Sequence, residues 1–285
     1  MKPVDVARRP GFPVRMPASA NVTGATKIVA GSPIKMGANN LKHLQSEPQK
    51  SVTGPAFRAT GASAAIAATG IGLDSQAVRA RMVQKLAAQG VQDSRVLAAL
   101  AHVERHRFVD SALVNQAYED TSLPIGLGQT ISKPNVVARM LELLVKTTDG
   151  KLGRVLEIGT GCGYQAALLA RLATEVYSIE RLRGLHDRAR DNLRPFKVAN
   201  LHLLFGDGMA GYARGAPYAA IIAAAGGEAL PQAWLDQLAV GGRLVAPVQG
   251  ANGAQTLVVV DKTERGITKT LLEAVHFVPL KSGTS

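Results

Sequence analysis

Cysteine is almost absent from this 285-residue chain, which contains only Cys162. A single thiol excludes an intramolecular disulfide and a cysteine cluster for structural zinc, and it fits a reducing compartment. The six histidines supply no zinc-hydrolase spacing, because only His102 and His106 lie four residues apart and Glu104 stands between them at the wrong offset. We therefore expect no metal site and a cytoplasmic protein.

Aromatic residues are also scarce, at 4% of the chain, and long apolar runs are missing. The longest weakly polar stretch, residues 61–73, is short for a membrane span and consists largely of Gly, Ala, Ser and Thr. A net charge of +12 and a pI near 10.1 would favour an anionic partner, but base recognition by stacking needs aromatic side chains. We expect neither membrane association nor a specific nucleic-acid partner.

The basic excess is distributed unevenly and marks two regions. Residues 1–75 hold nine Lys or Arg against three Asp or Glu, half of the excess of the whole chain, in a Pro-, Gly-, Ala- and Ser-rich context without a hydrophobic period. This composition predicts a basic, low-complexity, disordered extension. No compact apolar segment follows Arg8 and Arg9, which argues against a secretory signal and leaves a transit peptide open. Residues 76–285 are the predicted domain.

Two amphipathic helices are predicted at the start of this domain. The first ends at Gly90, and Asp93 or Ser94 can cap the second. A loop over residues 118–134 follows, rich in Pro and Gly, and leads to a helix over residues 135–144. Long loops inside a compact domain are often functional, so this one is a candidate part of a site.

Short apolar runs alternate with helical stretches in the second half of the chain. The predicted strands are 154–158, 175–179, 201–205, 218–223 and 243–248, the helices between them are 164–172, 182–193 and 231–238, and the last two strands, 256–260 and 270–278, have only a turn between them. This rhythm predicts an α/β fold: a doubly wound, mostly parallel, seven-stranded Rossmann-like sheet with an antiparallel C-terminal hairpin and an N-terminal helical subregion.

The strongest motif is a buried strand that runs into a glycine-rich turn and a helix, Val155-Leu-Glu-Ile-Gly-Thr-Gly-Cys-Gly-Tyr164. Glycines let a ligand approach the backbone closely, and the helix N-terminus offers free amide donors. The spacing is Gly-x-Gly-x-Gly, which differs from the Gly-x-Gly-x-x-Gly that holds a dinucleotide pyrophosphate. A dehydrogenase is therefore disfavoured.

Acidic residues follow the next two strands at the same predicted edge of the sheet. Glu180 ends the second strand of this set, where a carboxylate can accept both hydroxyls of a ribose, and Asp207-Gly208 follows the third. Carboxyl ends of neighbouring parallel strands converge on one ligand site. Together with the glycine turn, they indicate an adenosine-containing cofactor without a phosphate cradle.

At this point the chain resembles the class I S-adenosylmethionine methyltransferases, and more closely the protein-L-isoaspartate O-methyltransferase family. Two further segments carry the closer resemblance: Leu123-Pro-Ile-Gly-Leu-Gly-Gln-Thr-Ile-Ser-Lys-Pro134, similar to that family's active-site loop, and Phe277-Val-Pro-Leu280, similar to its substrate-contact strand. The resemblance covers about residues 76–280, and residues 1–75 are foreign to the family's core.

The resemblance implies a role for each matching residue. Glu157, Gly159, Gly161 and Gly163 would line the methionine and sulfonium part of S-adenosylmethionine, Glu180 would hold its ribose, and Asp207 with Gly208 would meet its adenine. Ser132 matches the active-site serine. Gly128, Gln129, Thr130, Ile131 and Val278 would hold an extended isoaspartyl peptide. The products would be S-adenosyl-L-homocysteine and a labile methyl ester that initiates protein repair.

The implied acceptor explains why no general base is evident. An α-carboxyl group has a reference pKa of about 3.3–3.7 and is ionised at neutral pH, so exclusion of water and alignment of the reacting atoms can supply much of the rate. We expect Ser132 to orient the carboxylate or nearby cofactor atoms, because no His–Asp partner for a nucleophilic serine is evident.

Alternatives remain open from the sequence alone. An RNA or DNA methyltransferase of the same fold would fit the basic pI, although residues 221–227 lack the Asn/Asp-Pro-Pro-aromatic cluster often used on exocyclic amines. A non-enzymatic binder acting through residues 1–75 is a second rival. Ser132 could simply cap the helix that follows it, and the glycines could be ordinary turns. The protein is expected to be a monomer.

Overall fold

The computed structural model describes residues 76–250 and 252–285. The predicted disorder of the extension therefore lies outside the described residues. The α-helices are α1 (Gln76–Ala88), α2 (Ser94–His102), α3 (Pro134–Val145), α4 (Tyr164–Leu172), α5 (Arg183–Leu193) and α6 (Gln232–Gln237), with 3-10 turns at Arg105–Phe108, Ser111–Gln116, Arg194–Phe196, Gly208–Ala210 and Ala213–Gly215. Within this part of the chain, no helix is long and apolar enough to cross a membrane.

Nine strands form two sheets in the same part of the chain. They are β1 (Leu123–Gly126), β2 (Gln129–Ile131), β3 (Leu152–Ile158), β4 (Ala173–Glu180), β5 (Leu201–Phe205), β6 (Tyr218–Ala223), β7 (Leu238–Gln249), β8 (Gln255–Thr263) and β9 (Gly266–Val275). The first two make a small antiparallel hairpin, and the other seven make one sheet in the order β5-β4-β3-β6-β7-β8-β9. Neighbouring strands are parallel from β5 through β4, β3 and β6 to β7. Strand β8 pairs antiparallel with both β7 and β9.

This sheet confirms the predicted architecture and locates its switch point. Strand β3 pairs with β4 on one side and with β6 on the other, so the order of the strands reverses at β3. Ligands in open α/β sheets bind beyond the carboxyl ends of the strands at such a reversal. The glycine turn that follows Ile158 therefore begins at the position where a site is expected.

Both faces of the sheet are buried, which explains the nearly continuous apolar strands. In β3, Val155 belongs to a hydrophobic cluster with residues of α1 to α5, whereas Leu156 belongs to a second cluster with Trp234 of α6. Successive side chains of a strand point to opposite faces, so a strand covered on both sides must be apolar at both parities. The helices are distributed unequally: α3, α4 and α5 pack against one face, with α1 and α2 on top of α3 and α4, and α6 packs against the other face.

The N-terminal helical subregion is joined to the sheet through α3. The carboxylate of Asp93 caps α2 by accepting hydrogen bonds from the backbone N–H groups of Arg95 at 2.9 Å and Val96 at 3.3 Å. The guanidinium of Arg95 donates to the carbonyl of Val145 at the end of α3, at 2.9 Å. Buried Glu142 of α3 accepts from the backbone N–H of Gln92 at 2.6 Å. Capping groups thus fix α2 against α3.

The expectation of an irregular loop over residues 118–134 is wrong. The segment contains the hairpin β1–β2, in which Leu123 pairs with Ile131 and Pro124 with Thr130. Strands of three and four residues, one of them containing Pro, give too little periodicity to be recognised in a sequence. The following helix begins at Pro134, one residue earlier than predicted, as suits proline at the first helical position.

Candidate active site

A cavity of about 450 Å³ opens at the carboxyl ends of β3 and β4. Ten of the thirteen residues predicted for the site line it: Gly128, Gln129, Thr130, Ile131, Ser132, Gly159, Gly161, Glu180, Gly208 and Val278. The other three, Glu157, Gly163 and Asp207, do not line it. A second cavity of about 370 Å³ lies beside the first, and Ser132 lines both.

The glycine turn presents bare backbone to the cavity. Gly159, Gly161 and Gly163 have φ angles of 88°, 57° and 94°, in the left-handed region that favours glycine. A Cβ atom at Gly161 would lie 3.2 Å from Cδ1 of Ile125, and one at Gly163 would lie 2.8 Å from Cδ1 of Leu193. Gly161 therefore leaves room for a ligand in the cavity, whereas Gly163 is required by the packing of α4 against α5.

Glu180 is held in place by two backbone amides. One of its carboxylate oxygens accepts from the N–H of Gly161 and the other from the N–H of Leu182, each at 2.9 Å. Its side chain is nearly buried and lines the cavity. Each oxygen keeps a further lone pair for a ligand hydroxyl. The site thus contains a fixed acceptor pair of the kind that a ribose needs.

Glu157 is fully buried and lies beneath the cavity. The Oγ–H of Ser178 donates to it at 2.5 Å, and Ser178 is itself 2.6 Å from Oγ1 of Thr160 in the glycine turn. Burial raises the pKa of Glu157 to about 8, although the hydrogen bond from Ser178 opposes the shift. Glu157 is therefore linked through Ser178 to the glycine turn, and its predicted contact with a ligand stays a prediction.

Asp207 is also occupied by backbone groups. Oδ1 accepts from the N–H of Met209 at 2.8 Å, which caps a 3-10 turn, and Oδ2 accepts from the N–H of Gly283 at 2.7 Å. The neighbouring Gly208 faces the cavity, and a Cβ atom there would lie 2.6 Å from Cγ2 of Ile158. The close approach of the Gly208 turn to the end of β3 therefore depends on glycine.

The opposite wall of the cavity is the β1–β2 hairpin. Its tip has three successive residues in the left-handed region, Gly126, Leu127 and Gly128, with φ angles of 89°, 51° and 69°. Leu127 is 62% exposed and lines the cavity, so an apolar side chain on a strained backbone lies at the opening. Nη1 of Arg188 on α5 donates to the carbonyl of Ile125 at 2.7 Å and so ties the hairpin to α5.

Arg105 supports the other end of the hairpin and was missed by the sequence analysis. Its guanidinium is fully buried, donates from Nε to the carbonyl of Ala117 at 2.7 Å and from Nη2 to the carbonyl of Ser132 at 2.8 Å. It also lies 4.8 Å from the ring centroid of Tyr164, which lines the cavity. Burial lowers the pKa of Arg105. A buried cation therefore fixes the backbone of the residue shared by both cavities.

Within residues 76–250 and 252–285, no group of three or more His, Cys, Asp or Glu side chains could hold a metal ion. The lone thiol, Cys162, is buried, and desolvation raises its pKa. The acidic side chains of the site are bound to backbone amides or to Ser178, as described above. The chemistry available at the cavity is thus that of glycine backbone, a fixed carboxylate and a serine hydroxyl.

Comparison with known proteins agrees with this geometry. The sequence model of the family described as protein-L-isoaspartate(D-aspartate) O-methyltransferase matches residues 77–285. A protein-L-isoaspartate O-methyltransferase of Leptothrix cholodnii is 56% identical over 281 residues, which cover 98% of this chain and 96% of that protein. One of Methylibium petroleiphilum is 63% identical over 218 residues, covering 75% and 81%. The Leptothrix alignment includes most of residues 1–75, so that region is shared with a relative.

Solved structures give the same result for the fold. A protein-L-isoaspartate O-methyltransferase structure superposes with a TM-score of 0.65 at 27% identity, covering 72% of this chain and 66% of that one. A Plasmodium falciparum protein described in the same terms, solved in complex with S-adenosyl-L-homocysteine, gives a TM-score of 0.63 at 24% identity and covers 71% and 98%. At that identity, the second likeness concerns the fold alone.

Proposed function

From the premise that this chain belongs to the protein-L-isoaspartate O-methyltransferase family, we propose how its residues perform the family's reaction. The protein transfers a methyl group from S-adenosyl-L-methionine to the free α-carboxylate of L-isoaspartyl residues in damaged proteins and peptides, and so initiates their repair. The observation that carries the residue roles is a single cavity with a glycine and carboxylate wall on one side and the Ser132 hairpin on the other.

The cofactor is assigned to the glycine and carboxylate wall. Gly159 and Gly161 leave the backbone bare for the methionine part, Glu180 offers its two oxygens to the ribose hydroxyls, and Gly208 leaves a flat surface for the adenine. The cradle fits, because a Cβ atom at Gly161 would fill the space towards the hairpin. Bound there, the cofactor supplies a methyl group activated by a sulfonium.

Three predicted contacts become supporting roles in this proposal. Glu157 fixes the glycine turn through Ser178 and Thr160, and its buried carboxyl group sits beneath the position assigned to a cationic ligand. Gly163 allows α4 to pack against α5. Asp207 anchors the loop that carries Gly208.

The acceptor peptide is assigned to the second cavity. That cavity is formed by Ser132 and Lys133 on one side and by the end of β9 with His276 and Phe277 on the other. A peptide lying there would direct its carboxylate past Ser132 into the first cavity. Gly128 to Ile131 and Val278 line the passage, and the Ser132 hydroxyl donates to one carboxylate oxygen while the other faces the methyl group.

No residue needs to remove a proton from the acceptor, because a carboxyl group with a reference pKa of about 3.3–3.7 is ionised at neutral pH. The hairpin excludes water and the two walls align the reacting oxygen with the methyl group. In the displacement an O–CH₃ bond forms, the S–CH₃ bond breaks, and its electron pair returns to sulfur. Attack on a cation by an anion disperses charge, so the site needs no strong oxyanion donor.

We propose further that the protein acts in the cytoplasm as a monomer, with its catalytic domain over residues 76–285 and a basic, low-complexity extension before it. The buried single thiol supports a reducing compartment. Nucleic acid is the disfavoured substrate, since the segment after β6 reads Ala224-Ala-Gly-Gly227. This segment lacks the Asn/Asp-Pro-Pro-aromatic cluster that would bind an exocyclic amine.

Base-labile methyl incorporation from labelled S-adenosyl-L-methionine into paired peptides tests the proposal. One peptide contains isoaspartate and its twin contains ordinary aspartate. We expect labelling of the isoaspartyl peptide alone, and no labelling of RNA added in a third reaction. Labelling of RNA or of both peptides alike would overturn the assignment of substrate while leaving the cofactor site intact.

A further inference from the structure

The last eight residues of the chain, 278–285, cross the carboxyl ends of three strands, and we call them the strap. At its beginning, the carbonyl of Val278 accepts from the N–H of Gly226 at 2.9 Å, and the N–H of Leu280 donates to the carbonyl of Gly226 at 2.8 Å. Gly226 follows β6. The first half of the strap is thus tied to the loop after the fourth parallel strand.

The second half of the strap is tied to the loops after β5 and β4. The N–H of Gly283 donates to Oδ2 of Asp207 at 2.7 Å, and Nε of Arg181 donates to the carbonyl of Gly283 at 2.9 Å. The N–H of Ser285 donates to the carbonyl of Arg181 at 2.9 Å, and the N–H of Arg183 donates to the carbonyl of Ser285 at 2.8 Å. Four hydrogen bonds therefore join two strap residues, Gly283 and Ser285, to two loops.

These two loops carry the residues assigned to the adenosine part of the cofactor. Glu180 immediately precedes Arg181, and Gly208 immediately follows Asp207. Arg181 and Lys281 both line the first cavity, so the strap closes its rim on this side. Residues 281–285 are exposed, and the hydrogen bonds to the loops, rather than core packing, hold them in place.

We propose that the strap is a positioning segment for the adenosine half of the cofactor. It fixes the Glu180 and Gly208 loops at the spacing that a ribose and adenine require, and it shields that end of the cavity from water. The role rests on the proposed function, since it assumes that this cavity binds the cofactor. Asp207 then acts through the strap, because its Oδ2 atom is engaged by Gly283.

A positioning role for the strap and a purely structural role predict different effects on cofactor binding, peptide binding and thermal stability. Loss of residues 282–285 should weaken binding of the adenosine moiety and leave the peptide side unchanged, because Ser132 and the β1–β2 hairpin make none of these four hydrogen bonds. A purely structural tail would change thermal stability and both substrates alike, or nothing at all.

The test compares four proteins: the full chain, a variant ending at Lys281, Gly283→Pro and Thr284→Ala. The truncation removes all four bonds. Proline at 283 removes the N–H that reaches Asp207 and also excludes the φ of 73° that Gly283 adopts. Thr284→Ala is the matched control that keeps all four bonds. Titration with S-adenosyl-L-homocysteine gives Kd, and initial rates give KM for S-adenosyl-L-methionine and for an isoaspartyl peptide. Thermal unfolding checks that each variant is folded.

We expect Kd for S-adenosyl-L-homocysteine and KM for S-adenosyl-L-methionine to rise about tenfold in the truncation and less in Gly283→Pro, since net hydrogen-bond contributions are modest. Peptide KM and kcat at saturating cofactor should stay within about twofold, and Thr284→Ala should match the full chain. An unchanged Kd in the folded truncation, or an effect confined to the peptide, would overturn the inference alone. Failure of the full chain to bind S-adenosyl-L-homocysteine would overturn the proposed function and the strap with it.

Discussion

The two walls of the cavity are built in different ways. The cofactor wall comes from a strand, turn and helix that are continuous in the sequence, and Glu180 reaches Gly161 across 19 positions. The acceptor wall is a short hairpin held by Arg105 and Arg188, which contact it over 27 and 63 positions. The glycine turn and Glu180, which we assign to the methionine and ribose parts of the cofactor, are therefore encoded within one short stretch of sequence, whereas the position of the hairpin depends on tertiary contacts.

The largest effect should follow from Gly161→Val, which changes the cofactor wall. The substitution places a branched side chain at φ 57° and within 3.2 Å of Ile125, so it obstructs the turn and strains the backbone. Misplacement by about 1 Å can cost about 100-fold in rate, and we expect at least that loss of methyl transfer. Gly150→Ala, at an exposed turn, is the control. Retention of near-normal activity in Gly161→Val would place the cofactor elsewhere.

On the acceptor wall, Ser132→Ala removes the hydroxyl proposed to orient the carboxylate. A hydrogen bond to a charged group contributes about 1.5–3 kcal/mol, so kcat/KM for an isoaspartyl peptide should fall about 10- to 100-fold. Exposed Ser111→Ala should leave the rate unchanged. A fall of less than twofold would contradict the role of Ser132 in orienting the acceptor, since the N-cap of α3 is Lys133 and no side chain caps this helix.

Arg105→Lys changes the support of the hairpin without changing a residue of either wall. Lysine keeps a positive charge but lacks the planar fork that reaches the carbonyls of Ala117 and Ser132 together. We expect kcat/KM for the peptide to fall about tenfold through misalignment, with Kd for S-adenosyl-L-homocysteine little changed. The control is Arg107→Lys, at an exposed position nearby. Equal losses in peptide and cofactor binding would contradict a hairpin-specific role.

Glu157→Gln should give the smallest effect on rate and a distinct effect on pH dependence. The pKa of Glu157 is about 8 in the folded protein and near 4.5 in an unfolded chain, so the folded state binds the extra proton between these values. Its contribution to the free energy of unfolding is full below pH 4.5 and is lost as pH rises through 8. Thermal unfolding from pH 5 to 9 should therefore show a shallower decline for Glu157→Gln than for the unchanged chain, and identical slopes would contradict the assignment.

The helices and strands that are defined by a local apolar pattern could be predicted from the sequence. The bounds of α4, β5 and β6 were predicted to the residue, because apolar runs between clear breakers define them. Most predicted site residues line the cavity because parallel strands bring their carboxyl ends together. Arg105, the β1–β2 hairpin and the strap were missed. Arg105 and the strap depend on partners distant in sequence, such as Gly283 and Asp207, and burial of a guanidinium has no local signature. The hairpin was missed because its two strands are too short to show a period.

The most direct test of the two-wall account is the affinity of folded Ser132→Ala for S-adenosyl-L-homocysteine, measured by calorimetry beside its peptide kinetics. The account predicts a Kd within about twofold of the unchanged chain, since Glu180 and Gly161 are untouched, together with the peptide defect given above. A Kd that weakens in proportion to the loss of methyl transfer would show that Ser132 belongs to the cofactor wall, and would contradict the separation of the two walls.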